Sequence, residues 1–271
     1  YLSSVVMSGT IIENSNHKNK SSIIEKIISG EHQMSVAYAE PNIGYKFFDC
    51  YASTSVSNNI LSLNGTKSLV LNAGNANQFI VLAKHEGLSA LIMVDAEVDG
   101  LSIQSFKTID GQTCGELTFE NVSIDTDSII ASGNEAEALF NKMMQLSILC
   151  ISAEAVGAMN ASYTKTVQYS KEREQFSQPI SNFQVLQHRM VDMFIETELT
   201  KSLLIKPTLQ LDSNDPDAEN TISALKVQVG KAGRLIGQNA VQLHGGMGVS
   251  NEMSIGHYLK RFTAIDSMFG N

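Results

Sequence analysis

Residues 242–248 read Gln-Leu-His-Gly-Gly-Met-Gly, and this loop separates two segments that have helical periodicity. The first segment opens at Asp215-Pro216, an N-cap followed by a proline at the first helical position. Three glycines in four residues let a backbone come close to a ligand, and their amides can face a phosphate at a helix start. The alternative is an ordinary interhelical turn, because a bare glycine cluster is a weak signal.

The segments around this loop predict a helical bundle in the C-terminal half. Apolar residues recur at helical spacing over four segments, 135–170, 183–211, 215–243 and 252–269. Gly230, Gly233 and Gly237 lie on one face of the third segment. Because each interior glycine costs a helix about 1 kcal/mol relative to alanine, this face predicts close approach of another helix.

The part of the chain before the bundle has a different pattern. Short apolar segments bounded by turn residues lie at 34–38, 60–63, 68–71, 79–82, 91–94 and 117–122. They predict an antiparallel β domain, a small barrel or sandwich, and Asn64-Gly65 has the sequence of a hairpin turn. Residues before 31 are predicted to be helical. The fold class is therefore α+β, with a helical remnant (1–31), a β domain (32–132) and a helical bundle (133–271).

Composition excludes several classes of protein. The chain has 19 Lys and Arg against 28 Asp and Glu, a net charge of −9, which argues against a general nucleic-acid binder. No apolar run approaches the ~20 residues that a membrane span needs. Three widely spaced cysteines predict reduced thiols and a cytoplasmic protein, with no disulfide framework. The six histidines have no metal-ligand spacing, so no metal site is predicted.

A second loop that could bind a ligand lies between the first two helices of the bundle. Arg173-Glu174-Gln175-Phe176 places a guanidinium and an aromatic ring three residues apart. Together they could hold an anionic group and a planar ring. A surface loop anchored by its phenylalanine is the simpler interpretation, and the loop alone does not decide between the two.

In combination, these segments resemble the acyl-CoA dehydrogenase family over nearly the whole chain. Residues 39–44 lie where the family has its Thr-Glu-Pro…Gly-Ser-Asp stretch, and residues 63–67 match its LNG-x-K segment. Residues 173–176 resemble its R-x-x-F-G loop, and 242–248 its Q-x-x-G-G-x-G loop. The resemblance implies a middle β-barrel, a C-terminal four-helix bundle, and an N-terminal helical domain that is mostly absent here.

The resemblance also implies FAD as cofactor and an acyl-CoA thioester as substrate. In this family a carboxylate removes an α-proton while the flavin accepts the β-hydride. The Arg and Phe of one loop and the Gln and glycines of the other contact the pyrophosphate and adenosine end of the FAD held by the neighbouring subunit. The corresponding residues here, all predicted to bind the cofactor, are Arg173, Phe176, Gln242, Gly245 and Gly246.

The other half of the family's flavin site is not matched. The Thr before Glu-Pro is Ala39, and the Ser of Gly-Ser-Asp is Tyr45. The Trp and Thr that cover the flavin ring and bond its N5 atom fall at Leu69 and Leu71. Since a leucine side chain has no hydrogen-bond donor, the N5 atom would lose its polar partner.

The family's catalytic base is missing at both of its usual positions. The place of the common Glu is Gly270, and the alternative place on an early helix of the bundle is Ser147. Asp266 and Glu154 are the nearest carboxylates along their helices, although a surface role is the simpler interpretation of each. The catalytic residue is therefore unassigned.

This asymmetry favours the base-lacking subunit of a heteromeric acyl-CoA dehydrogenase, which completes the FAD site of its partner. Segment 256–270 resembles the small subunit of pimeloyl-CoA dehydrogenase-like proteins in particular. The resemblance implies fatty-acid or steroid degradation, a dimer or tetramer, a second dehydrogenase subunit, and electron-transfer flavoprotein as electron acceptor. One alternative is a self-sufficient homomeric enzyme with a relocated base. The other is a flavin-free scaffold or acyl-CoA-binding protein.

Overall fold

The computed structural model describes residues 1–57 and 60–270. The chain divides into two compact units, Tyr1–Ser147 and Ile148–Asn271. After a π-helical segment, Leu2–Ser8, the helices are α1 Gly9–Asn14, α2 Lys20–Ser29, α3 Asn134–Glu172, α4 Gln184–Asp212, α5 Ala218–His244 and α6 Ser254–Ser267. The strands are β1 Met34–Ala37, β2 Ser53–Ser57, β3 Ile60–Leu71, β4 Gln78–His85, β5 Leu88–Asp95, β6 Leu101–Lys107, β7 Thr113–Ile124, β8 Ile129–Ser132, β9 Glu174–Gln175 and β10 Gln178–Pro179.

The first unit contains one eight-stranded sheet. Its strands follow the order β6-β7-β3-β2-β4-β5-β8, and β1 pairs with β4. Most pairs are antiparallel, as the sequence predicts, but β1 and β2 each run parallel to β4. The core of the sheet is apolar, with Leu63, Phe79 and Leu117 fully buried. The helical segments before β1 also confirm the prediction for the first 30 residues, and Gly30 ends α2 in the left-handed conformation.

The hairpin predicted at Asn64-Gly65 is wrong. Both residues lie inside β3, a single 12-residue strand, where the pairing with β7 shifts between Leu63 and Gly65. Gly65 has a φ of 136°, and a Cβ there would lie 2.6 Å from the Cα of Ala52. The glycine thus permits a bulge and a close backbone approach rather than a turn.

The second unit is built from α4, α5, α6 and the part of α3 that follows Ser147. Helices α3, α4 and α6 begin and end within two residues of the predicted segments. Helix α5 begins at Ala218, two residues after Pro216, the predicted first helical position. The glycine face of α5 packs against α6, as predicted. A Cβ at Gly233 would lie 3.2 Å from Phe262, and one at Gly237 would lie 2.8 Å from Leu259 Cδ1.

Helix α3 is the one described helix that is long and apolar enough to cross a membrane. It has 39 residues, and its most apolar window reaches a mean hydropathy of 1.2. In the structure 44% of that window is buried inside the protein. A core helix of a globular domain has the same length and composition, so this feature alone does not indicate a membrane span.

Candidate cofactor-binding site

The Arg173 loop is a short hairpin that projects from the end of α3. The N–H of Arg173 donates to the carbonyl of Tyr169, 2.8 Å away, which closes the last helical turn. Strands β9 and β10 then pair antiparallel, and the N–H of Ile180 donates to the carbonyl of Arg173 at 2.8 Å. The two bonds fix the backbone of Arg173 at the base of the hairpin.

Phe176 and Ser177 form the tip of this hairpin. Both have positive φ, 54° and 64°, as the type I′ hairpin turn requires. This conformation is strained for residues other than glycine, and the family pattern has glycine where Ser177 stands. The ring of Phe176 is 86% exposed and meets Phe183 edge to face, with centroids 6.0 Å apart. The hairpin therefore presents an aromatic ring on its outer side.

The glycine loop begins where α5 ends at His244. Gly245 has a φ of 60° and a ψ of −139°, a region that is essentially open only to glycine. A Cβ at Gly248 would lie 2.8 Å from the Val241 carbonyl oxygen, so packing within the loop demands that glycine. A Cβ at Gly246 would have no atom within 4 Å, and its φ is not positive. Gly246 therefore leaves an open backbone surface, and no contact within residues 1–57 and 60–270 requires a glycine there.

Tyr169 and His244 connect the hairpin to the glycine loop. Their rings stack with centroids 4.2 Å apart and an interplanar angle of 23°, and the Tyr169 hydroxyl donates to the His244 carbonyl at 3.4 Å. Nδ1 of His244 lies 2.8 Å from the Ala240 carbonyl and donates to it. Burial lowers the pKa of His244, which favours the neutral ring. The two loops that the sequence singled out are thus held together through this pair.

The five predicted cofactor-binding residues are all exposed. Within the described part of the chain, the side chains of Arg173 and Gln242 have no hydrogen bond or ion pair. A free guanidinium suits a phosphate oxygen, a free amide suits a sugar or base, and the open surface at Gly246 allows close approach. This donor set fits the pyrophosphate and adenosine end of FAD. The role of the five residues in binding it remains a prediction.

Two residues of the family motifs in the β domain form a buried ion pair. Nζ of Lys67 lies 2.6 Å from Oε1 of Glu40, and the two side chains are 0% and 3% exposed. Glu40 also accepts hydrogen bonds from the backbone N–H groups of Tyr51 and Ala52, at 2.7 and 3.0 Å. The carboxylate therefore accepts hydrogen bonds from three donors and has a structural role.

The positions that cover the flavin ring in the family present no polar side chain from β3. Leu69 lies at a bulge where the β3–β7 register shifts, with a φ of 53°, and its side chain is 61% exposed. Tyr45, in place of the family's serine, is 56% exposed and contacts Phe47 edge to face. The backbone carbonyl of Ala39 accepts the N–H of Ser68 at 2.8 Å.

The position of the family's common base is held by backbone contacts. Nζ of the buried Lys226 donates to the carbonyls of Gly270 and Asp266, at 2.5 and 2.9 Å. The Asp266 carboxylate forms an ion pair with Arg234 at 2.8 Å. Sequence reasoning missed Lys226, although it precedes Gly230 by one turn on the glycine face, and that spacing could have revealed its burial against α6.

The other base position also offers no free carboxylate. Ser147 is buried, and its hydroxyl donates to the Met143 carbonyl at 2.7 Å. Glu154 accepts from Nε and one terminal nitrogen of Arg261, at 2.5 and 2.7 Å. A bidentate pair of this kind holds a carboxylate firmly. Both substitutes that the sequence suggested for the base are thus engaged in ion pairs.

Comparison with known proteins identifies the family of the C-terminal half of the chain. Residues 138–271 match the family described as "Acyl-CoA dehydrogenase, C-terminal domain". Mitochondrial isovaleryl-CoA dehydrogenase from Solanum tuberosum is 26% identical over 259 residues, which cover 92% of this chain and 62% of that protein. The chain thus spans about 62% of the length of this curated relative.

Solved structures agree on the fold. The structure described as PigA with FAD and proline has a TM-score of 0.93 at 22% identity, covering 100% of this chain and 73% of that one. The ChsE4-ChsE5 complex from Mycobacterium tuberculosis has a TM-score of 0.88 at 21% identity, covering 99% and 71%. The resemblance to the acyl-CoA dehydrogenase family is therefore confirmed, and residues 138–271 form the C-terminal domain of that family.

Proposed function

We propose that this chain is a base-lacking subunit of an FAD-dependent acyl-CoA dehydrogenase, and that it completes the FAD site of a partner subunit. The reaction class is α,β-dehydrogenation of an acyl-CoA thioester. Such a reaction needs a hydride acceptor, the chemistry that FAD supplies when it is bound. It also needs a carboxylate that removes the α-proton.

One observation carries the proposal. The side chains that would bind a neighbour's cofactor, Arg173 and Gln242, have no partner within the described part of the chain. The carboxylates that would act as base, Asp266 and Glu154, are both bound in ion pairs. A carboxylate that already accepts hydrogen bonds from an arginine would have to leave that partner before it could take a proton from a substrate.

The five residues predicted to bind FAD, called the clamp from here on, would make different contacts with it. The Arg173 guanidinium would neutralise and bond a phosphate oxygen, the Gln242 amide would bond the adenosine end, and Gly246 would let its backbone approach it. Phe176 would cover an apolar surface of the same group. The Tyr169–His244 stack, with ring centroids 4.2 Å apart, holds the two loops next to each other, as binding of one ligand by both loops would require.

Two further arguments support a heteromeric enzyme. The ChsE4-ChsE5 structure, which shares the fold, is a complex of two named chains. The Ala39, Tyr45 and Leu69 substitutions fall in the part of the site that would serve this chain's own flavin ring. The proposed partners are therefore an acyl-CoA substrate, a second acyl-CoA dehydrogenase subunit and an electron-transfer flavoprotein, in a dimer or tetramer.

The experiment is to co-express the protein with a second acyl-CoA dehydrogenase from the same genome and to measure FAD per complex after gel filtration. Arg173→Ala should weaken FAD retention about tenfold or more, because a charge-assisted hydrogen bond contributes about 1.5–3 kcal/mol. Lys171→Ala, which removes an exposed cation two residues earlier, is the matched control and should retain FAD. Equal FAD content in both variants would refute the proposal that Arg173 binds the cofactor of the partner subunit.

A further inference from the structure

Helix α4 carries an apolar stripe on the side that faces away from the bundle. The opposite side of the helix holds its buried residues, among them Met193, Thr200 and Pro207. The stripe consists of six large apolar side chains that are 46–64% exposed, namely Val191, Phe194, Ile195, Leu199, Ile205 and Leu209. At about 100° per residue they lie within an arc of about 140°, and the stripe is about 27 Å long.

A continuous stripe of this kind indicates contact with another molecule. Monomeric proteins rarely expose an apolar patch larger than a few hundred Å², and the removal of apolar surface from water favours association. Single exposed apolar residues need no such explanation, but six of them follow one side of one helix here. The charged residues beside the stripe indicate which molecule covers it.

Four charged side chains lie along the stripe. Asp192 and Lys206 are on one side of its midline, and Glu198 and Lys201 are on the other. All four are exposed, and none of them has a hydrogen bond or ion pair within residues 1–57 and 60–270. On each side of the midline, the acidic residue lies nearer the N-terminal end of the stripe and the lysine nearer the C-terminal end.

We propose that the stripe binds α4 of a second copy of this chain, in antiparallel orientation about a twofold axis. With the axis at Thr200, residues equally far before and after it lie at the same level in the two copies. Val191 then lies at the level of Leu209 of the second copy, and Ile195 lies at the level of its Ile205. Apolar residues therefore meet along the whole stripe.

The same register brings opposite charges together. Twofold symmetry makes each side of the midline face the same side of the second copy. Lys206 lies about 3 Å along the axis from the level of Asp192 of the second copy, and Lys201 lies about 1.5 Å from that of its Glu198. Each contact occurs twice, which gives four pairs of opposite charge. The charge pattern is thus complementary to itself, as an isologous interface requires, and such pairs at the edge of an apolar helix seam select the partner and its orientation.

The test is sedimentation velocity of the full chain over a range of concentrations, with circular dichroism to show that each variant is folded. The wild type should form a dimer. Ile195→Glu should weaken dimerisation about 100-fold or more, because each dimer would then bury two unpaired carboxylates. Val185→Glu is the matched control and should leave the dimer unchanged, because Val185 is 63% exposed on the same helix but lies outside the stripe.

An exchange of charges tests the antiparallel register. Asp192→Lys and Lys206→Glu should each weaken the dimer about tenfold, because each replaces two attractive contacts with repulsive ones. The double variant restores both contacts with the signs exchanged and should dimerise nearly as well as the wild type. The two residues are about 21 Å apart along one helix, so they cannot compensate for each other within a single chain.

Three results would overturn the proposal. These are a wild-type chain that stays monomeric, a dimer that persists in Ile195→Glu, and a double variant that is as weak as the single ones. If the chain is monomeric and Ile195→Glu releases a co-expressed second acyl-CoA dehydrogenase, the unlike subunit covers the stripe, and the proposal is overturned as well. FAD content is a different measurement, so this inference and the proposed function can fail independently.

Discussion

The close packing of α6 against α5 can be tested with one added methyl group at Gly237. A Cβ there would lie 2.8 Å from Leu259 Cδ1, 3.1 Å from Phe262 Cδ2 and 3.3 Å from Leu259 Cα. Two of these atoms belong to side chains, but the Cα belongs to the backbone of α6. Gly237→Ala therefore forces the helix itself to move.

Gly157 provides the matched comparison. It also lies inside a long helix, and a Cβ there would have no atom within 4 Å. Alanine stabilises a helix interior by about 1 kcal/mol relative to glycine, so Gly157→Ala should raise the free energy of unfolding by about 0.5–1 kcal/mol. At Gly237 the same gain is opposed by an overpacking cost of about 1–3 kcal/mol. The two variants should thus differ by about 1–3 kcal/mol.

The assay is urea denaturation followed by circular dichroism at the helical band, with the midpoint and slope compared among wild type and the two variants. An unchanged slope with a shifted midpoint reports stability directly. If Gly237→Ala is as stabilising as Gly157→Ala, α6 does not approach α5 at this distance, and the packing argument for the glycine face is refuted.

Three further predictions concern single residues. Lys67→Met leaves the Glu40 carboxylate buried without its cation and should lower the free energy of unfolding by about 3–5 kcal/mol; a loss below about 1 kcal/mol in urea denaturation would contradict burial of the pair. Ser177→Gly removes the strain of a non-glycine residue with a φ of 64° at the hairpin tip. It should raise the free energy of unfolding by about 0.5–1 kcal/mol, and with it the thermal midpoint. A lower midpoint would contradict the turn conformation. Burial lowers the folded pKa of His244, so the unfolded chain binds more protons below about pH 6.5 and stability should fall as pH drops, by at most about 1.4 kcal/mol per pH unit. His244→Gln should reduce that slope, and an unchanged slope in this variant would contradict burial of the ring.

The helices of the bundle could be predicted from the sequence because their signals are local. The period of 3.6 residues and the glycine face at 230, 233 and 237 depend on residues within one helix, and the structure confirms both. Helix α5 begins two residues after the predicted first helical position, because the Asp215 carboxylate accepts the N–H of Asp217 in a turn before the helix.

The sheet was harder to predict because strand pairing depends on residues far apart in sequence. Asn64-Gly65 has a hairpin sequence, yet the close approach of Ala52 makes Gly65 a bulge in a long strand. The parallel pairing of β1 with β4 joins residues 34–37 to residues 78–81, and no local signal marks it.

The candidate site could also be predicted only in part from the sequence. Arg173, Phe176 and Gln242 stand in recognisable motifs, so the sequence located both loops. The ion pairs of Asp266 and Glu154 could not be predicted, because their partners Arg234 and Arg261 lie on other helices. Neither could the Tyr169–His244 stack, which brings the two loops together across 75 residues of sequence.

The most direct test of the central proposal is the flavin content and acyl-CoA-dependent dye reduction of the protein, first purified alone and then purified with a co-expressed second acyl-CoA dehydrogenase from the same genome. A base-lacking subunit of a heteromeric enzyme should be colourless and inactive alone and should form a yellow, active complex with its partner. A protein that is yellow and oxidises acyl-CoA by itself would contradict it, and Asp266→Asn and Glu154→Gln would then show which carboxylate is the base. A complex that forms without FAD would contradict the account equally.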